Sequence, residues 1–154
     1  MFKQMRRKER QIEVVEAEEI LKNGEYGVLS TNGENGYSYG TPLSYVYFNN
    51  SVYFHCALEG QKLENINYNN KVSFCVVGKT CVIPAKFSTK YESTILFGEA
   101  NEVFGEEKNE ALIEILKKYS PDFIDKGKLY IKNAGDKTKV IKININKISG
   151  KAIV

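Results

Sequence analysis

The sequence is poor in the residues that most often announce chemistry. Among 154 residues there is one histidine (His55), no tryptophan, three prolines and three cysteines. Cys56, Cys75 and Cys81 are odd in number and form no CxxC pair. They read as free thiols of a reducing compartment rather than a disulfide framework, and with a lone histidine no metal site is expected. No run approaches the ~20 apolar residues a bilayer span needs. No apolar segment follows the basic start, so no signal peptide is expected and the location reads as cytoplasmic. GxGxxG, Walker and GxSxG sequences are missing too. A nucleotide, if bound, is held by something other than a Gly-rich phosphate loop.

What is present is an ordinary globular balance, 42% apolar and 27% charged, in about one domain's worth of chain. The 22 basic and 19 acidic residues give +3. Five basic residues (Lys3, Arg6, Arg7, Lys8, Arg10) and Glu9 put +4 of that in the first ten positions, leaving −1 for the rest. Residues 1–12 therefore read as a basic arm on a single domain spanning 1–154. A basic face for nucleic acid is not expected.

Val15–Lys22 reads as a short helix with Gly24 as its C-cap. Tyr26–Thr31 reads as a strand, and Tyr37–Phe48 as a second one interrupted by Gly40 and Pro42. Asn49-Asn50 then turns the chain into Val52–His55, a hairpin signal. Gly60–Tyr68 reads as an amphipathic helix, Val72–Gly78 as a buried strand and Lys86–Phe104 as mostly extended chain. Glu106–Tyr119 carries Ala111, Leu112, Ile115, Leu116 and Tyr119 on one stripe, and Ser120-Pro121 ends that helix. Val140–Ile148 alternates as a half-buried strand. Six or seven strands with two or three helices, and no helices between the first strands, predict a mainly β fold. The expectation is an antiparallel, closed or half-closed barrel with peripheral helices.

The densest candidate for chemistry runs from Val52 to Ile66. A strand ends at His55, a helix opens near Gly60, and Lys62 adds a positive charge where free amides face an anion. Composition alone favours a solvated helix lysine; the strand–turn–glycine–lysine–helix order makes Lys62 a candidate phosphate ligand. His55 reads as a surface or packed residue, or as a proton donor or ligand anchor. Cys56 is reactive only if its pKa is depressed. Five of the ten tyrosines fall between Tyr37 and Tyr53, by default core or interface residues, alternatively a platform for a planar ligand. Pro42 donates no ladder bond, which leaves backbone groups at Leu43–Tyr45 for a heterocycle's edge.

MRRKER, YGVLST, YGTPLSYVYFNNSVYFHCALEGQKLENI, VSFCVVG, KFSTKYESTILFGEA and the closing ISGKA resemble, in order, the nitroimidazole-resistance family. That family belongs to the pyridoxamine 5′-phosphate oxidase-like, FMN-binding split barrels. The resemblance implies a six-stranded antiparallel split-barrel homodimer with FMN at the subunit interface and a small-molecule substrate. By motif, Pro42, Leu43, Ser44 and Tyr45 would line the isoalloxazine. His55 and Cys56 would sit by the ring or ribityl chain, Lys62 at the phosphate, and Tyr91 and Ser93 facing the site from the same or the other subunit. His55 would be the catalytic residue of a flavin-dependent nitro-group reduction. Gln61 stands where the true oxidase has an arginine, and the end of the chain has no Arg-x-His. Pyridoxamine phosphate oxidation is therefore not expected. The alternatives are a flavin-binding carrier or sensor without turnover, or the same barrel holding haem or a deazaflavin.

Overall fold

The computed structural model describes residues 1–154. Eight strands and four α-helices follow the order β1 (Gln11–Ile12), α1 (Val14–Asn23), β2 (Gly27–Asn32), β3 (Ser38–Leu43), β4 (Val46–Phe48), β5 (Ser51–Cys56), α2 (Gln61–Tyr68), β6 (Lys71–Ile83), β7 (Ser88–Val103), α3 (Gly105–Tyr119), α4 (Ile124–Ala134) and β8 (Lys139–Ile153). All strand pairs are antiparallel, in the order β3-β2-β6-β7-β8-β5-β4, with β1 on β8. The expected six strands are the six of six residues or more; β1 and β4 are the two short additions. The sheet curls but does not close, and its open seam lies between the edge strands β3 and β4, which the chain joins directly through Ser44 and Tyr45.

Local chemistry explains most elements. Glu13 and Glu16 form a reciprocal capping box at the start of α1, satisfying amides that the first turn leaves free. Gly24 follows the helix with extended rather than left-handed backbone (φ −64°). Its lack of a side chain is needed because a Cβ there would meet the Tyr45 hydroxyl and Val76. Asn49 and Asn50 both take positive φ (50° and 55°), the geometry of a tight hairpin turn that matches strand twist.

One core fills the barrel, built on Leu21, Leu29, Tyr45, Phe54, Phe74 and Leu96 among others. Each fully buried side chain of this size is worth roughly 1.5–3 kcal/mol relative to exposure. A smaller cluster lies on the outside of β4, β5 and β8, where Val46, Tyr53 and Val140 pack under Ala111 and Ile115 of α3. The two clusters use alternate residues of β5, the period-2 consequence of a strand covered on both faces.

Three readings of the sequence are corrected. Pro42 does not interrupt the ladder: it pairs with Val28 within β3, where an edge position tolerates a missing N–H. The break falls two residues later, at Ser44–Tyr45. The region after Ser120 also contains a fourth helix, α4, whose packing on α3 is close because Gly127 lies against Leu116. The basic start is not a free arm throughout, since Gln11 and Ile12 pair with Lys151 and Gly150, and Phe2 stacks on Phe97 at 5.3 Å.

Candidate functional site

Beside the open seam, α3 and α4 roof a cavity of about 610 Å³ over the outer face of β5. Ser44 and His55 reach it from the barrel. Leu112, Leu116, Phe123 and Ile131 make its apolar wall, with Tyr119, Lys126 and Tyr130 as polar members. A mostly apolar cleft of this size with a few convergent polar groups is the usual form of a small-molecule site. Among its lining residues Lys126 is the only one with a full charge at neutral pH, because burial lowers the pKa of His55 below its usual 6.5. His55 is thus a neutral imidazole offering one donor and one acceptor.

The residues singled out in the sequence divide between the two faces of the sheet. Ser44 and His55 share the cavity. Cys56 points the other way, into the barrel core, where burial raises its thiol pKa despite the nearby Lys62 and Lys139 charges. Such a thiol is protonated and unreactive at neutral pH. Pro42 is exposed on the edge, and Leu43 packs against the barrel core.

Tyr45 departs from the expectation of a free backbone. Its ring is completely buried and its hydroxyl donates to the Leu21 carbonyl. Its N–H donates to the Tyr119 hydroxyl (3.0 Å), and its carbonyl accepts from Lys118 Nζ (3.0 Å). Tyr45 therefore supports the seam from below and has no surface for a ligand.

The helix start at Lys62 has the properties of an anion site. Gly60 is the N-cap of α2 at φ 147°, a backbone that favours glycine, with open space where a Cβ would stand. The amides of Gln61 and Lys62 precede any intrahelical acceptor, and Lys62 makes no ion pair. On the barrel side of β3, Thr41 Oγ1 is buried without a hydrogen-bond partner, a costly condition that a polar ligand atom relieves.

Tyr91 and Ser93 are not brought to this place within one chain. Ser93 lines a second cavity of about 600 Å³ on the outer face of β7 and β8, with Lys3, Lys8, Lys147 and Lys151. Tyr91 lies beside Lys151, which lowers the phenol's pKa. The roof residues of α3 and α4 are what the sequence reading missed. Their signal is a stripe of Ile124, Gly127, Ile131 and Ala134 at helical spacing, masked by a glycine that reads as a breaker.

A curled antiparallel sheet left open at one seam, with a cavity beside it, is a split barrel. A family model described as pyridoxamine 5′-phosphate oxidase matches residues 13–152, and the chain belongs to that family. Among solved structures it is similar to a candidate 5-nitroimidazole antibiotic resistance protein from Bacteroides thetaiotaomicron, at 25% identity and TM-score 0.79 over 92% of this chain and 86% of that one. An FAD-binding protein from Mesorhizobium loti matches at 18% identity and TM-score 0.68, covering 93% and 95% of the two chains. An FAD- and haem-binding protein from Mycobacterium smegmatis matches at 15% identity and TM-score 0.80, covering 93% and 73%. No curated protein matches the sequence. No helix is long and apolar enough to cross a membrane.

Proposed function

We propose that this protein binds FMN at the barrel seam and is a flavin-dependent oxidoreductase acting on small, mostly apolar acceptors such as nitroaromatic compounds. The observation that carries the reading is the meeting of Ser44 and His55 in one apolar cavity at the seam. The residues present fit the cofactor. The open Gly60 start of α2 and the unpaired Lys62 suit a phosphate. The orphaned Thr41 hydroxyl offers a polar partner on the barrel side. When bound, FMN supplies the two-electron redox chemistry, and the protein supplies orientation and exclusion of water.

His55 is the residue assigned to the substrate. As a neutral imidazole it holds an acceptor atom, such as a nitro oxygen, by one N–H hydrogen bond. It is an anchor at neutral pH and a proton donor only in acid. Leu112, Leu116 and Phe123 exclude water around a planar substrate.

Tyr91 and Ser93 enter this reading through a second copy of the chain, whose outer β7–β8 face would cover the seam. Ile95 and Phe97 are 42% and 40% exposed on that face, as expected of a surface awaiting a partner. The cationic groove around Ser93 suits the anionic end of a flavin.

An absorbance spectrum of the purified protein, with mass analysis of what heat releases, tests the assignment. Flavin bands and an FMN mass support it, and a Soret band points to haem in the same barrel. Colourless protein that also fails to take up added FMN overturns it. NAD(P)H-driven reduction of nitro or quinone acceptors then separates an enzyme from a flavin carrier.

A further inference from the structure

Ser44 and Tyr45 belong to neither ladder, since β3 ends at Leu43 and β4 begins at Val46. Backbone groups at such a gap need other partners. The last two residues of α3 supply them for Tyr45. The Tyr119 hydroxyl accepts the Tyr45 N–H at 3.0 Å and lies 2.6 Å from the Glu25 carbonyl and 3.0 Å from the Tyr45 carbonyl. One hydroxyl hydrogen serves one acceptor well. With it directed to Glu25, the nearer oxygen, the Tyr45 carbonyl is left to the Lys118 ammonium at 3.0 Å. That ammonium also lies 3.9 Å from the centre of the Tyr45 ring, within cation–π range.

We propose that Lys118 and Tyr119 are positioning residues for the cofactor site: by gripping Tyr45 they set where Ser44 and the adjoining backbone stand at the seam, and so set the affinity for flavin. The inference rests on the flavin reading above. Lys118 makes no ion pair, and the Tyr45 and Tyr119 rings are the titratable groups that face it. Burial alone lowers its pKa to about 8. A half-buried ammonium without a counter-charge is unfavourable to the folded state. Its contribution is the fixed geometry of the seam rather than stability.

The test uses the full chain and four variants: Tyr119→Phe, Lys118→Met, Lys118→Arg, and Lys117→Met as a control on the exposed Lys117–Glu114 pair. FMN affinity is read from flavin fluorescence, and stability from thermal unfolding of the cofactor-free protein. The Kd for FMN is expected to rise about tenfold in Tyr119→Phe and Lys118→Met, because binding must then order a seam that the wild type holds in place beforehand. Lys118→Arg recovers part of the affinity, Lys117→Met changes nothing, and Lys118→Met unfolds no earlier than wild type. Unchanged affinity in both Tyr119→Phe and Lys118→Met overturns the proposal, as does a loss of affinity that merely follows a loss of stability. If the wild type binds no FMN, the flavin reading fails on its own account. Hydrogen exchange at the Tyr45 amide then judges the grip: faster exchange in Tyr119→Phe upholds it, and unchanged exchange removes it.

Discussion

His55 and Cys56 are consecutive residues whose side chains stand on opposite faces of β5, one in the helix-roofed cavity and the other in the barrel core. A strand covered on both sides assigns neighbours to different environments. The histidine is therefore available to a substrate, and the cysteine is not.

The thiols should separate cleanly in a labelling experiment. Cys81 is exposed and Cys56 buried. Alkylation of the native protein at neutral pH, followed by peptide mass analysis, is expected to modify Cys81 and leave Cys56 untouched until denaturant is added. Rapid labelling of Cys56 in the native state would contradict its placement.

The neutral His55 makes stability sensitive to acid. Its folded pKa lies below the usual 6.5 because the imidazole, although it keeps solvent contact at the cavity mouth, is partly desolvated by its surroundings. Below pH 6.5 the unfolded chain takes up a proton before the folded chain does, so stability falls as pH falls through that window. Urea unfolding at pH 7 and pH 5 should show a larger loss for wild type than for His55→Gln. Equal losses would mean that His55 is not desolvated.

Lys62 is assigned to a phosphate, so its removal should discriminate between ligands. Lys62→Met is expected to weaken FMN binding by about tenfold, with a reduced dependence on salt. Riboflavin, which has no phosphate, should bind both proteins equally. Equal FMN binding by variant and wild type would place the phosphate elsewhere.

Gly127 governs the roof of the cavity. A Cβ at this position overlaps Leu116 at the α3–α4 crossing. Gly127→Ala gains helix propensity of about 1 kcal/mol, yet the overlap is expected to cost about 1–3 kcal/mol. The net effect is a protein no more stable than wild type, with altered substrate KM. Adding Leu116→Ala should relieve the overlap and restore the helix contact. Measuring stability and KM across the double-mutant cycle checks both claims.

The legible parts of this protein are those whose signals are local. The Asn49-Asn50 turn, the α3 stripe and the alternating isoleucines of β8 each declare their conformation within a few residues, and the antiparallel barrel follows from their order. The end of the long strand β6 was not legible, because beyond Gly78 it forms with β7 an exposed hairpin with no buried face to impose a period. At the candidate cavity, His55 is singled out in the sequence by its place at a strand end and Ser44 by the family resemblance. The pairing of the Tyr45 backbone was not legible, since its partners Lys118 and Tyr119 are distant in sequence. Nor was the roof, because Gly127 is chosen for a helix contact that no local pattern reveals.

The pairing of β5 with β8 also bears on how the chain is made. On one side β5 pairs with β4, but on the other Ser51 to Cys56 find their partners in Lys139 to Asn144, far downstream in the sequence. During synthesis the apolar VYF segment of β5 leaves the ribosome long before its neighbour exists. Until then one side of the β4–β5 hairpin is an unsatisfied edge, open to the nascent chains of neighbouring ribosomes. The same delay applies to the cavity, whose roof and seam clasp are translated well after the β4 and β5 strands they cover. On the flavin reading proposed above, cofactor capture would be a late event, reserved for chains that have been completed through α3 and α4.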